Sequence, residues 1–174
     1  MLVNLTDIFS TENKVECKEF EIDFSTVTVM GSQYELIEKS PVVLKLRNEG
    51  KGQAVVNMTA EFTLLLSCDR CLKEVRYPMV IETEERVTSP ELVDTLSDED
   101  DESFMDGYQL KVDDLLRSNI VLNWPMKILC REDCKGICKI CGKDLNTGEC
   151  GCDTFVPSPG LAGIKEIFNA NKEV

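Results

Sequence analysis

Cysteine constrains this chain more than any other residue type, because eight of its nine cysteines are closely spaced and the sequence has no histidine. Two of them form a C-x-x-C pair, Cys68 and Cys71. The other six form a C-terminal run: Cys130, Cys134, Cys138, Cys141, Cys150 and Cys152. Four thiolates in a closed tetrahedral shell are a preferred ligand set of structural Zn²⁺. Eight such cysteines therefore predict two zinc ions per chain.

The pairing of the eight cysteines into sites leaves three possibilities open. The favoured one combines the C-x-x-C pair with the start of the run, to give site 1: Cys68, Cys71, Cys130 and Cys134. The end of the run then forms a compact site 2: Cys138, Cys141, Cys150 and Cys152. One alternative groups the four cysteines between 130 and 141, and another is a sulfur-bridged binuclear cluster.

Two other uses of these thiols compete with structural zinc. Iron accepts the same four-cysteine ligand set, so an iron-sulfur or rubredoxin-like electron carrier is one alternative. A zinc-thiolate redox switch is another, in which Cys150 and Cys152 are oxidised and release the ion. The ninth cysteine, Cys17, lies outside the pattern and is predicted to be a small buried hydrophobic residue.

The first half of the chain has the period of β-strands. Apolar and polar residues alternate from 53 to 66, which predicts a strand with one buried face. A turn signal at 48–52 joins this strand to a similar run at 42–47, as in a hairpin. Further strands are expected at 20–29 and 75–82, the second either at a sheet edge or with a bulge at Pro78, because proline cannot donate to a ladder.

The predicted fold is mainly β, of the α+β class, with an antiparallel sheet or barrel-like N-terminal part. Residues 1–90 form this β-rich domain with its C-x-x-C knuckle, and 91–106 form a linker with eight acidic and no basic residues. Residues 107–174 hold a short helix, a small cysteine-ligated zinc module and a C-terminal helix. The apolar spacing predicts the short helix within 112–120 and the last helix within 158–168.

Charge and composition exclude several functions. The net charge of -13 repels nucleic-acid phosphate over most of the surface. The absence of histidine rules out Ser-His-Asp and Cys-His nucleophiles, and no paired acidic site stands out, so neither an enzyme nor a small-molecule substrate is expected. No signal peptide or membrane span is recognised, which predicts a cytoplasmic protein.

Basic residues nevertheless recur every four positions around the cysteine run. They are Lys127, Arg131, Lys135, Lys139 and Lys143. Each zinc with four thiolates carries a charge of about -2, so these residues can compensate the charge of the sites. They can equally form a local patch that contacts phosphate.

Two segments carry a family resemblance: the Cys68–Leu72 knuckle followed by Leu122-Asn123-Trp124-Pro125 and Cys130, and the string from Cys134 to Asn146, in which Lys139 stands where proline is expected. They resemble the YceD family, the large ribosomal RNA subunit accumulation proteins of bacteria and plastids, and the resemblance covers most of the chain, from the strands before Cys68 to the last predicted helix. The resemblance implies a role in large-subunit ribosomal RNA accumulation or processing and ribosome assembly, without catalysis. It also implies ribosomal RNA or a ribosome assembly component as partner.

Overall fold

The structure is a computed structural model that describes residues 1–92 and 104–152. Most of the predicted acidic linker and all of the predicted C-terminal helix lie outside these described residues. Within the described residues, no helix has the length and apolar character that crossing a membrane requires.

The chain divides into two compact units, each made of two segments. Unit 1 comprises Met1–Ser67 and Glu74–Ile128, and unit 2 comprises Cys68–Lys73 and Leu129–Val174. The predicted boundaries at 90 and 106 differ from this division, because the residues between 107 and 128 belong to unit 1. The C-x-x-C pair belongs to unit 2 although it interrupts the sequence of unit 1.

Unit 1 is built on an open, six-stranded antiparallel sheet. Its strands are β2 (Val15–Phe20), β3 (Thr26–Val29), β4 (Ser32–Lys39), β5 (Val42–Gly50), β6 (Gln53–Ser67) and β7 (Glu74–Thr88). The long strand β6 pairs with β7 along its whole length, with β5 through its first half and with β4 through its second half. The sheet is therefore organised around β6, and the mainly β, antiparallel prediction is confirmed.

The alternation along β6 explains its central place. Its even-numbered residues from Ala54 to Leu66 are all buried in the core of unit 1. The predicted hairpin of β5 and β6 is confirmed, with Gly50 opposite Gln53 at the turn. Among the described residues β7 pairs only with β6, so Pro78 lies in an edge strand, as predicted.

Unit 1 also contains a small sheet and, among its described residues, two helices of five residues or more. The sheet has the strands β1 (Leu2–Asn4), β8 (Met105–Asp106) and β9 (Gln109–Lys111), and the helices are α1 (Thr6–Ser10) and α2 (Val112–Leu122). Helix α2 buries the predicted apolar stripe, namely Val112, Leu115, Leu116 and Ile120. Directly after α2, the ring of Trp124 packs on Tyr34 of β4 with centroids 4.7 Å apart.

Two expectations for the first strands were wrong. Cys17 is exposed on β2 and is not a buried hydrophobic residue. The alternating run from Phe20 onwards is not continuous strand, since β2 ends at Phe20 and β3 begins at Thr26. Between them the ammonium of Lys39 donates hydrogen bonds to the backbone oxygens of Ile22 and Phe24, at 2.8 and 3.1 Å, so a side chain takes the place of a strand partner.

Candidate metal centres

The C-x-x-C pair of site 1 lies in a tight loop between β6 and β7. The backbone N–H of Cys68 donates to the oxygen of Lys73 at 2.8 Å, and that of Leu72 donates to the oxygen of Cys68 at 2.9 Å. These two bonds fold six residues into a knuckle that turns both thiols to one side. Leu72 has a φ of 61° and a side chain that is 66% exposed.

A second knuckle of the same form supports site 2. The N–H of Cys138 donates to the oxygen of Lys143 at 2.8 Å, and that of Gly142 donates to the oxygen of Cys138 at 2.9 Å. Gly142 has a φ of 71°, a conformation that glycine adopts without steric cost. The two C-x-x-C loops thus share the same pair of backbone hydrogen bonds.

The four sulfurs of site 1 have the spacing of a tetrahedral thiolate site. All four lie within 4.8 Å of one another. The Sγ atoms of Cys68 and Cys134 are 3.8 Å apart, and those of Cys71 and Cys130 are 3.5 Å apart. A tetrahedron with Zn–S bonds of about 2.3 Å has sulfur–sulfur edges of about 3.8 Å. The donor set and its spacing therefore fit a tetrahedral metal ion.

Site 2 has the same composition. The sulfurs of Cys138, Cys141, Cys150 and Cys152 also lie within 4.8 Å of one another. The structure thus brings the eight predicted cysteines together in the favoured grouping, with four in each site. Each group can hold a metal ion, whereas the identity of the ion stays a prediction.

The site 1 thiols differ widely in their pKa values. Burial acts to raise the pKa of Cys68, but hydrogen bonds from the backbone of Cys130, Arg70 and Cys71 outweigh it and lower this pKa to about 6. The hydrogen bond with Cys71, together with burial, raises the pKa of Cys130 to about 12. Without a cation, one thiol is therefore readily ionised while another keeps its proton.

The thiols of site 2 also include one with a lowered pKa and one with a raised pKa. Backbone hydrogen bonds from Cys141 and Ile140 lower the pKa of Cys138 to about 6. Hydrogen bonding to Cys141, and then to Cys150, raises the pKa of Cys152 to about 12. A metal ion, whose charge would favour four thiolates together, would remove this conflict within each group.

Cys134 is held from several directions within unit 2. The side-chain amide of Asn146 donates to its Sγ at 3.5 Å, and the guanidinium of Arg70 donates to its backbone oxygen at 2.6 Å. Burial acts to raise the pKa of Cys134, but the hydrogen bonds from Asn146 and the backbone of Gly136 lower it. Such partners orient a ligand and adjust its basicity.

An ion pair joins the two knuckles. Nζ of Lys73, the last residue of the first knuckle, is 2.6 Å from Oδ2 of Asp144, which directly follows the second. The hydrogen bond from Lys73, together with one from the backbone of Asn146, lowers the pKa of Asp144 to about 2. The carboxylate is therefore ionised throughout the neutral range.

Sequence reasoning missed the residues that support the thiols. Arg70, Lys73, Asp144 and Asn146 carry no metal-ligand signature of their own. The Asp144-Leu145-Asn146-Thr147 segment does have the composition of an Asx turn, and its Asp144 oxygens accept hydrogen bonds from Asn146 and Thr147. That turn signal, directly after a knuckle, was the available clue.

The recurrent basic residues do not share one environment. Nε of Arg131 is 3.3 Å from Oδ1 of Asp133, and the ammonium of Lys143 donates to the backbone oxygen of Glu149 at 2.8 Å. Lys135 and Lys139 are exposed. Arg131 and Lys143 are thus held by partners within unit 2, although their side chains are exposed as well.

Comparison with family models identifies a relationship for most of the chain. Residues 56–168 match the family model described as large ribosomal RNA subunit accumulation protein YceD. No curated protein and no solved structure matches the chain. The matched span covers more than half of the sequence and includes all eight cysteines of the two sites. The chain therefore belongs to the YceD family.

Proposed function

We propose that this chain is a non-catalytic, cytoplasmic zinc-binding protein that acts in the accumulation or processing of large-subunit ribosomal RNA and in ribosome assembly. Its partner is ribosomal RNA or a ribosome assembly component. The observation that carries the proposal is the pair of four-cysteine groups inside the span that matches the YceD family.

The composition of unit 2 supports a structural role for two zinc ions. Among its described residues, the buried side chains of the hydrophobic class are all cysteines: Cys68, Cys71, Cys134 and Cys138. Such a unit lacks the apolar core that normally offsets the loss of conformational entropy on folding. Structural zinc contributes about 10–16 kcal/mol of apparent binding energy in small peptides, which is enough to replace a core.

The ligand set also supports a role without catalysis. Four thiolates close the coordination shell of zinc, so no position is left for water or substrate. The sequence has no histidine that could act as a proton carrier or complete a nucleophile. We therefore assign to unit 2 the presentation of a surface rather than the conversion of a substrate.

RNA contact is best supported at unit 2. The whole chain carries a charge of -13, which disfavours phosphate binding at most of its surface. Lys135 and Lys139 are exposed beside the cysteine groups and can approach phosphate. Contact through so few charges would give only a shallow fall of affinity with added salt, because the slope grows with the number of phosphates that are neutralised.

The proposal is tested by replacing single cysteines in cells that depend on this protein. Cys134→Ser removes a ligand of site 1 and Cys138→Ser removes one of site 2, while Cys17→Ser changes an exposed cysteine outside both groups. We expect both ligand variants to lower the ratio of large- to small-subunit ribosomal RNA. The Cys17→Ser control should keep the normal ratio.

Two results would overturn the proposal. Normal large-subunit RNA levels in both ligand variants, at normal protein abundance, would separate the cysteine groups from the function. A lower ratio that is equally severe in Cys17→Ser would show a general effect of cysteine loss rather than a role for the two sites.

A redox switch at site 2 is the second candidate, because that site is the more accessible one. Cys141 is exposed and Cys150 and Cys152 are partly exposed, whereas three cysteines of site 1 are buried. Thiolate oxidation follows exposure, so mild peroxide would release metal from site 2 first. Retention of both metal ions under mild peroxide would contradict this candidate.

A further inference from the structure

The loop that closes site 2 also supplies side chains to site 1. Residues 142–149 connect Cys141 to Cys150, which are both members of site 2. From this loop, Asn146 donates to the sulfur of Cys134 at 3.5 Å, and Asp144 pairs with Lys73 at 2.6 Å. The 142–149 loop, which connects two ligands of site 2, therefore contacts the loops that carry the ligands of site 1.

The amide of Asn146 is fixed at both ends. Its Nδ2 donates to Oδ1 of Asp144 at 2.7 Å as well as to the sulfur of Cys134. Its Oδ1 accepts the backbone N–H of Lys135 and a guanidinium N–H of Arg131, each at 2.8 Å. These bonds determine which end of the amide faces the sulfur, so Asn146 can donate to a thiolate without reorienting.

The backbone carries this arrangement into site 2. Ile137 and Asp144 form an antiparallel β-bridge, and the N–H of Leu145 donates to the oxygen of Gly136 at 2.9 Å. The second knuckle therefore lies at the tip of a short hairpin, and its closing residues lead directly into Asp144 and Asn146. Closure of the knuckle by metal at site 2 would hold both side chains in place.

We propose that the two sites bind metal cooperatively, and that Asp144 and Asn146 are the positioning residues that couple them. This inference rests on the metal binding proposed above. An occupied site 2 orders the 142–149 loop, and the ordered loop presents Asn146 to Cys134 and Asp144 to Lys73. Site 1 then binds metal without having to order these groups itself.

The coupling must act equally in both directions. An ion at site 1 raises the affinity of site 2 by the same factor as the reverse, because coupling free energies are reciprocal. Couplings of this kind usually change affinity by about 5- to 150-fold. Each coupling contact lies within a few residues of a ligand, so we expect a change of about tenfold.

A double-mutant cycle in the full chain tests the inference. Cys141→Ser disables site 2, and zinc affinity at site 1 is measured by competition with a chromophoric chelator. The same measurement is made with Asn146→Ala and with the two changes combined. Asn57→Ala is the matched control, since Asn57 donates a similar side-chain bond to Glu84 within unit 1. Cobalt-thiolate absorption reports how many four-thiolate sites are occupied, independently of any cellular function.

We expect Cys141→Ser to weaken site 1 about tenfold in the wild-type and Asn57→Ala backgrounds, and less than about twofold in Asn146→Ala. An unchanged site 1 in Cys141→Ser, or an equal loss in the Asn146→Ala background, would overturn the coupling. If Asn146→Ala abolishes site 1, Asp144→Asn takes its place in the cycle, with the same expectation. A wild-type chain that binds no zinc would instead overturn the proposed zinc function itself.

Discussion

The guanidinium of Arg70 donates a hydrogen bond to the backbone oxygen of Cys134 at 2.6 Å. This bond joins the first knuckle to the C-terminal cysteine run. The backbone oxygen of Arg70 in turn accepts the N–H of Ile137 at 3.1 Å. Site 1 is thus assembled from two distant parts of the sequence by backbone hydrogen bonds as well as by its thiols. The contact leaves no room for a side chain at Gly136.

Gly136→Ala will therefore damage site 1. A Cβ at this position would lie 2.9 Å from the backbone oxygen of Arg70, and φ is 81°. Gly31→Ala is a matched control, since Gly31 has a φ of 82° and open space around it. In Gly31→Ala the free energy of unfolding should fall only by the cost of placing alanine in the left-handed conformation, about 1–2 kcal/mol.

Chemical unfolding and metal titration distinguish the two glycine variants. Gly136→Ala should lose affinity for metal at site 1, whereas Gly31→Ala should keep the wild-type affinity of both sites. Equal metal affinity in the two variants would show that the close approach of Gly136 to Arg70 does not matter for the site.

Metal uptake will release protons. In the metal-free chain the thiols of Cys130 and Cys152, with pKa values of about 12, are protonated at pH 8, and each must lose its proton to bind metal. Cys68 and Cys138, with pKa values of about 6, are already ionised. The protonated form competes with the metal, so apparent affinity falls as the pH falls.

Calorimetry in buffers of different ionisation enthalpy measures these protons. We expect the chain to release at least two protons at pH 8, from Cys130 and Cys152. It should release no more than six, because two of the eight thiols, Cys68 and Cys138, are already ionised. A binding enthalpy that is the same in every buffer would contradict the ionisation described for the two sites.

Asn48→Ala will destabilise unit 1. Asn48 is 5% exposed, and its amide donates to the backbone oxygens of Ile8 and Phe9 in α1 while its Oδ1 accepts the N–H of Gly50. Removing it leaves buried polar groups without partners, at a cost of about 1–3 kcal/mol each. Urea unfolding should show this loss with unchanged metal content. Asn57→Ala, at a half-buried position, should cost much less, and equal losses would contradict the role of Asn48.

Trp124→Ala will also lower the stability of unit 1. Trp124 is half-buried, and its ring packs on Tyr34. Full burial of a tryptophan is worth about 3–5 kcal/mol against alanine, so roughly half of that is expected here. Trp124→Phe keeps a ring and should lose less. Wild-type stability in Trp124→Ala, with reduced RNA binding, would instead make Trp124 a contact residue.

The sequence predicted those parts of the fold that depend on local patterns. Strand β6 was predictable because its alternating residues meet one core, and α2 because its apolar residues share one face. The same reasoning should have placed Cys17 on the surface. In β2 the side chain of Phe20 faces inward, and the period of two puts Cys17 on the opposite face.

The supporting contacts of the sites depend on residues that are distant in sequence. Lys73 and Asp144 meet only because two knuckles come together, and Arg70 reaches Cys134 in the same way. The eight cysteines could be recognised from their spacing, but the sequence left three groupings open, and the three-dimensional structure brings the cysteines together in the favoured one. The bonds that Asn146 forms to Cys134 and Asp144 required the three-dimensional structure.

Elemental analysis of the full chain, purified without added metal, is the most direct test of the central claim. We expect two zinc ions per chain, with none lost in Cys17→Ser and one lost when either Cys134 or Cys138 is replaced by serine. Iron in place of zinc, or no metal with eight or more freely titratable thiols, would contradict it.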